Sequence, residues 1–188
     1  MVESETNVGA DCLEAVRDLL SHYDLSALEI EDRGTAIHLK PKAAETFSIS
    51  LYDQGEDAMI SADRWHAHYD EPEQLAWCML WLLSPYYRIV HELKGGVQVA
   101  VWVEAWGPEG WDAFEPVYFI NPEYPPEWEV GPGESMVHRT IMQDILRPPK
   151  PYDEIVPGSK LDAQGYPEGF APGIHTHDVP RLVGRDLF

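Results

Sequence analysis

His66 and His68 form an HxH pair. On a strand, side chains alternate with period two, so the two imidazoles share a face, together with Arg64. Two imidazoles so placed ligate one metal ion when a carboxylate such as Asp70 or Glu71 joins them. A second cluster, His175, His177 and Asp178, lies near the C-terminus. Folded back onto His66 and His68, it would close a site in which zinc lowers the pKa of a bound water for hydrolysis. Arg64 opposes a cation there, and a polar outer sheet face explains the HxH pattern without a metal. A small metal-dependent hydrolase is therefore the alternative expectation rather than the first.

Other catalytic patterns are thin. The chain has no GxSxG elbow, no Walker loop, no GxGxxG after a strand and no HExxH. Cys78 has His91 as a conceivable base, but its neighbours Trp77, Met79 and Leu80 predict an inert buried thiol. With 33 acidic residues, paired carboxylates carry no information about glycoside chemistry. Gly95 and Gly96 need only turn geometry to explain them. No catalytic residue and no cofactor is expected.

The aromatic residues say more. Trp102, Trp106, Trp111, Tyr118, Tyr124 and Trp128 are interleaved with Glu104, Glu109, Asp112, Glu115, Glu123, Glu127 and Glu129. Tryptophan and tyrosine concentrate at the energetic centres of protein interfaces, and flanking carboxylates meet Lys or Arg of a partner. Rings beside acids also suit cation–π capture of basic side chains. Glu104, Glu109, Trp111, Glu115, Glu123, Tyr124, Glu127, Trp128 and Glu129 are the expected partner-binding residues.

Charge points the same way. Against 13 Lys+Arg stand 33 Asp+Glu, a formal charge of −20 spread along the whole chain. Such a surface repels nucleic-acid phosphates and anionic membranes, whose binding relies on basic side chains, and it steers basic proteins inward. An acidic surface also serves solubility alone. The N-terminus shows no basic and apolar signal pattern, and the apolar run at 75–83 is too short to span a bilayer. Cys12 and Cys78 are far apart and suit a reducing compartment, so a cytoplasmic protein is expected.

These residues require a framework, and 188 residues at 44% hydrophobic content suffice for one packed core. Asp11 caps a helix running to about residue 23. Residues 27–32 and 35–40 read as a hairpin turning at Arg33-Gly34, followed by a strand over 47–52 and another over 58–69. Asp70 or Glu71, then Pro72, open a Leu/Trp-rich helix through residue 83, apolar on most faces and hence central. Residues 86–93 and 97–106 form a second hairpin across Lys94-Gly95-Gly96, and a strand is expected within 111–120. Ser135 opens a short amphipathic helix to residue 146, and seven prolines after residue 147 predict an irregular tail. The expected architecture is α+β: an antiparallel sheet of two meanders, about seven strands, packed on the central helix, with an N-terminal helix, a short third helix and a Pro-rich tail. The expected divisions are a loose 1–10, a domain over 11–146, and a tail over 147–188 lying on the domain or a partner.

Residues 64–106 resemble a segment of small bacterial α+β proteins of the toxin-immunity type. The landmarks are Trp65, His66 and His68 at a strand end, Asp70 at a helix start, Leu80 within the helix, Gly95 and Gly96 at a turn, then Trp102 and Glu104. The spacing from Trp102 to Glu104 is one residue shorter than in that pattern, and the tail has no counterpart in it. The resemblance implies binding rather than catalysis, namely occlusion of a toxin's active site. The leading expectation is an acidic immunity or inhibitor protein for a basic partner such as a nuclease. A non-catalytic subunit of a larger assembly is a further alternative.

Overall fold

The computed structural model describes residues 7–113, 117–118 and 136–179. Helix α1 spans Val8–Ser21 and buries the stripe Cys12, Leu13, Val16 and Leu20. Asn7, not Asp11, caps it, accepting the Ala10 N–H at 2.9 Å; Asp11 falls in the first turn, where a carboxylate favours the helix dipole. Five strands follow as an antiparallel meander: β1 (Leu28–Asp32), β2 (Ala36–Pro41), β3 (Ile49–Asp53), β4 (Ala58–Ala62) and β5 (Trp65–Tyr69). Ile37, Leu39, Ile49, Leu51 and Ile60 are buried on the face toward α1. The alternate residues His38, Ser50, Ser61 and His66 fall in register on the opposite face.

The expected strand over 58–69 is two strands. Asp63 and Arg64 both take positive φ, 45° and 73°, and reverse the chain between β4 and β5. A two-residue hairpin needs that left-handed pair and normally recruits Asn or Gly for it, so the sequence gives no turn signal here. Helix α2 (Pro72–Leu82) starts as expected, with Glu71 at the cap position and proline in the first turn. It buries Leu75, Ala76, Cys78, Met79, Leu80 and Leu82, but leaves Trp77 38% exposed, so it is not covered all round.

The second sheet replaces the remainder of the single sheet expected. Its order is β11-β10-β6-β7-β8, with β6 (Tyr87–Lys94), β7 (Val97–Gly107), β8 (Gly110–Ala113), β10 (Met136–Met142) and β11 (Gly173–Val179); the two-residue β9 (Val117–Tyr118) also pairs with β7. The β6–β7 hairpin turns on Gly95 and Gly96, both left-handed, and a bulge at Glu92/Leu93 shifts its register. The third helix expected over 135–146 is β10. Its apolar residues fit a helical spacing by coincidence, whereas Val137, Thr140 and Ile141 are β-branched and β6 offers an open edge. Nor is the tail irregular throughout. It forms a short helix α3 (Tyr152–Ile155), and β11 occupies the interval between Pro172 and Pro180.

One core cluster joins α1, the first sheet and α2 to Ile89, Val101, Val103, Ile141 and Leu146 of the second half. Gln143, 1% exposed, ties these parts together. Its side chain accepts the Phe47 N–H at 3.3 Å and donates to Leu82 O at 3.1 Å, joining the entry to β3 and the end of α2. A smaller cluster, Val90, Ala100 and Trp102, lies on the other face of β6 and β7.

Candidate functional site

That other face carries a connected series of polar and aromatic contacts. Glu92 on β6 meets His138 Nε2 on β10 at 3.1 Å. The His138 ring stands edge-on to Trp102, 5.0 Å between centroids, and to His177 at 5.6 Å. Trp102 Nε1 donates to Glu104 at 2.9 Å, and Glu104 receives Arg88 at 2.6 and 2.7 Å. Arg88 in turn lies over Trp111 at 4.1 Å and beside Phe170 of the tail at 4.9 Å. Cross-strand register explains the assembly: Arg88 faces Glu104, Val90 faces Trp102, and His138 stands between Glu92 and His177.

The Arg88–Glu104 pair is mostly buried, its side chains 11% and 14% exposed. Burial lowers the Arg88 pKa, and Glu104 only partly opposes that. Glu104, expected to meet a partner's cation, is therefore committed to Arg88 and Trp102 within the chain. Trp111 is half-buried against Arg88, whereas Glu109 is exposed at the β7–β8 turn. The other expected partner-binding residues, Glu115, Glu123, Tyr124, Glu127, Trp128 and Glu129, lie outside the described residues, as does the side chain of Tyr118. Sequence reasoning missed Arg88, His138 and Phe170: Arg88 sits in the expected hairpin but its pairing with Glu104 depends on the register, while His138 and Phe170 reach their partners on β6, β7 and β8 from β10 and the tail.

The tail builds the second half of the site. Trp106 Nε1 donates to Lys160 O at 3.0 Å, and the Tyr152 hydroxyl donates to Trp106 O. Tyr152 stacks on Tyr86 with centroids 3.9 Å apart, and both meet Trp81, which stacks on Trp77. Arg147 forks onto Asp144 at 2.8 Å through Nε and Nη2, donates to Gln164 O through Nη1, and lies over the Tyr166 ring. Burial pushes the Asp144 carboxyl up, but hydrogen bonds from Arg147 and Tyr166 outweigh it and hold it below the ordinary range. Between these elements opens a groove of about 810 Å³. Tyr86, Tyr152 and Ser159 line it, and Asp153, Asp162 and Glu168 stand exposed around it.

The histidine clusters do not meet in one site. His66 and His68 lie on the outer face of β5, where His68 contacts Asp57 at 3.0 Å. His175 and His177 lie on β11, an edge of the other sheet; His175 is 2.8 Å from Ala171 O, and Asp178 is exposed. No group of three or more His, Cys, Asp or Glu among the described residues is arranged to hold a metal. His91 belongs to neither cluster: its Nε2 is 3.0 Å from an Asp63 carboxylate oxygen at the left-handed turn. His91 holds the Asp63 carboxyl below its usual range despite burial. Burial pushes the Cys78 thiol up to about 11, which keeps it protonated and unreactive.

Comparison with protein families, with curated proteins and with solved structures finds no match to this chain. The likeness of residues 64–106 to immunity proteins thus rests on its own landmarks. Among the described residues no helix is long and apolar enough to cross a membrane.

Proposed function

We propose that the chain is an acidic protein-binding domain of the immunity or inhibitor type, which neutralises a basic partner, such as a nuclease, by covering its active site. One observation carries the reading. Arg17, Arg33, Lys40, Arg88 and Arg147 are all engaged by the chain's own carboxylates. Glu109, Asp112, Asp153, Glu154 and Glu168 are exposed and make no ion pair with a described residue. The turn carrying Glu109 lies against the tail, with Pro108 atoms 3.5 Å from the point where a Gly158 side chain would begin. Carboxylates therefore outnumber cations on neighbouring segments, beside Trp106, Trp111 and Phe170.

In this reading the carboxylates occupy the partner's phosphate-binding surface, and the half-buried rings of Trp106, Trp111 and Phe170 supply a desolvated centre. Glu115, Glu123, Tyr124, Glu127, Trp128 and Glu129 belong to the same proposal, as does a cytoplasmic setting, which suits two free buried thiols. The test is capture from the source lysate at low and high salt, followed by affinity measurement with the captured protein. One basic partner released by salt is expected, and its affinity should fall when Glu109, Asp112 and Glu154 are made amides. Unchanged affinity and salt dependence in that variant would refute the proposal, because charge steering weakens with ionic strength.

A further inference from the structure

We infer that the groove between Tyr86 and the tail is the anchoring site for an arginine-bearing segment of the basic partner, with Trp77 as the neighbouring aromatic contact. This deepens the reading above and rests on it.

Charge selects the occupant. Arg147 lines the groove, yet its guanidinium donors are taken by Asp144 and Gln164, so it offers an anion little. That leaves Lys160 facing Asp153, Asp162 and Glu168, a surplus of carboxylates. One oxygen of Asp162 accepts the N–H groups of Gln164 and Tyr166, which fixes the loop and leaves the other oxygen for a ligand. A guanidinium suits such a rim, because its fork of donors reaches more than one carboxylate at once.

A second observation is independent of the acids. Ser159 lines the groove, is only 9% exposed, and its Oγ has no hydrogen-bond partner. Buried hydroxyls are almost always paired in a working structure, so a missing partner marks a place where something from outside completes the bonding. The hydroxyl hydrogen turns about the Cβ–Oγ bond, so the oxygen keeps lone pairs able to accept an arginine N–H.

The third observation is aromatic. Trp77 and Ile30 are the exposed large apolar residues among those described, and Ile30 lies on β1. Trp77 stacks on Trp81 at 5.8 Å, and Trp81 touches both Tyr86 and Tyr152 of the groove wall. An open tryptophan joined to the wall of an acidic groove through one intervening ring suits a basic segment that places one cation among carboxylates and a second group over the ring. The groove's volume is that of sites holding a short stretch of chain or a small ligand.

The experiment titrates the full chain with acetyl-Arg-Arg-Arg-amide, its lysine counterpart and acetyl-Glu-Glu-Glu-amide, by calorimetry and tryptophan fluorescence. Saturable binding of the arginine peptide is expected, tighter than lysine and with none for glutamate. Affinity should fall at least tenfold in Asp153→Asn with Glu168→Gln and in Ser159→Val, and about threefold in Trp77→Ala. Changes to the remote carboxylates Asp18→Asn and Glu56→Gln should alter it less than twofold. Equal loss in the remote and groove variants would overturn the groove as a site while leaving an acidic binder of basic proteins intact. Partner affinity unchanged in the groove variants, in a partner already shown to be salt-dependent, would do the same. Saturable binding of the glutamate peptide instead would overturn both readings.

Discussion

Replacing Gly9 by alanine sets two effects of opposite sign against each other. Alanine is favoured over glycine in a helix by about 1 kcal/mol, so an exposed Gly9 would make Gly9→Ala stabilising. The structure reverses the sign. A Cβ at Gly9 would stand 2.2 Å from Asp53 Oδ1 and 2.4 Å from the backbone oxygen of Asp57. Ordinary contact begins near 3.4 Å, so the β3–β4 turn must retreat by about 1 Å. Asp53 cannot simply swing aside, since it accepts the Gly55 N–H at 2.8 Å and the Asn7 side chain at 3.1 Å. The same retreat breaks the bond from Gly9 N–H to Gly55 O, now 3.1 Å. Two such bonds at about 1 kcal/mol each, with about 1–2 kcal/mol of overpacking, exceed the helix gain by about 2–3 kcal/mol. For a chain of this size that lowers Tm by roughly 4–12 °C. Urea unfolding followed by tryptophan fluorescence reads it directly. Asp53→Ala alongside Gly9→Ala should restore little, because the Asp57 backbone remains in the way. A Gly9→Ala protein as stable as the parent would refute the close approach of α1 to this turn.

Three further outcomes follow from described contacts. Gln143→Leu leaves the Phe47 N–H and Leu82 O without partners and should lower unfolding free energy by about 2–4 kcal/mol, measured by chemical denaturation. Glu104→Ala strands the Arg88 charge and Trp102 Nε1, with an expected loss of about 3–5 kcal/mol, whereas Arg88→Met with Glu104→Leu should recover most of it. Hydrogen bonding from Arg17 lowers the Asp32 carboxyl to about 2 from an ordinary 3.8. A depressed folded pKa adds stability present above the ordinary value and lost as pH falls through the folded one. The stability gap between the parent and Asp32→Asn should therefore shrink from pH 5 to pH 2 and vanish below it, as read by urea midpoints across that range.

The strands and helices that the sequence revealed are those stabilised by their own neighbours. The β1–β2 and β6–β7 hairpins carry glycine turns, α2 carries an acidic cap and a proline, and their apolar residues repeat with the period of the element. Where the deciding partner is distant, the pattern misleads. β10 pairs with β6 and β11, neither adjacent in sequence, and only that pairing separates a strand from an amphipathic helix at Val137 and Ile141. Asp63 and Arg64 hide a turn because their left-handed backbone has no glycine to announce it. The same holds at the site: Trp102, Glu104 and Trp111 were legible as an aromatic and acidic group, but Arg88 turns Glu104 inward, and the groove is formed by tail residues that composition marks only as proline-rich.

The placement of β10 also shapes how the chain is made. Every strand of the first sheet pairs with its immediate neighbour, so that half acquires its partners as it leaves the ribosome. β6 does not. One of its edges waits for Met136, about forty residues beyond Lys94, and at roughly 5–20 residues per second that is an interval on the order of seconds. During it, Ile89 and Val90 lie on a strand whose backbone donors and acceptors face outward, open to a neighbouring nascent chain. Chains truncated before residue 136 would keep that edge permanently, and aggregation rather than a stable half-protein is the outcome expected of them.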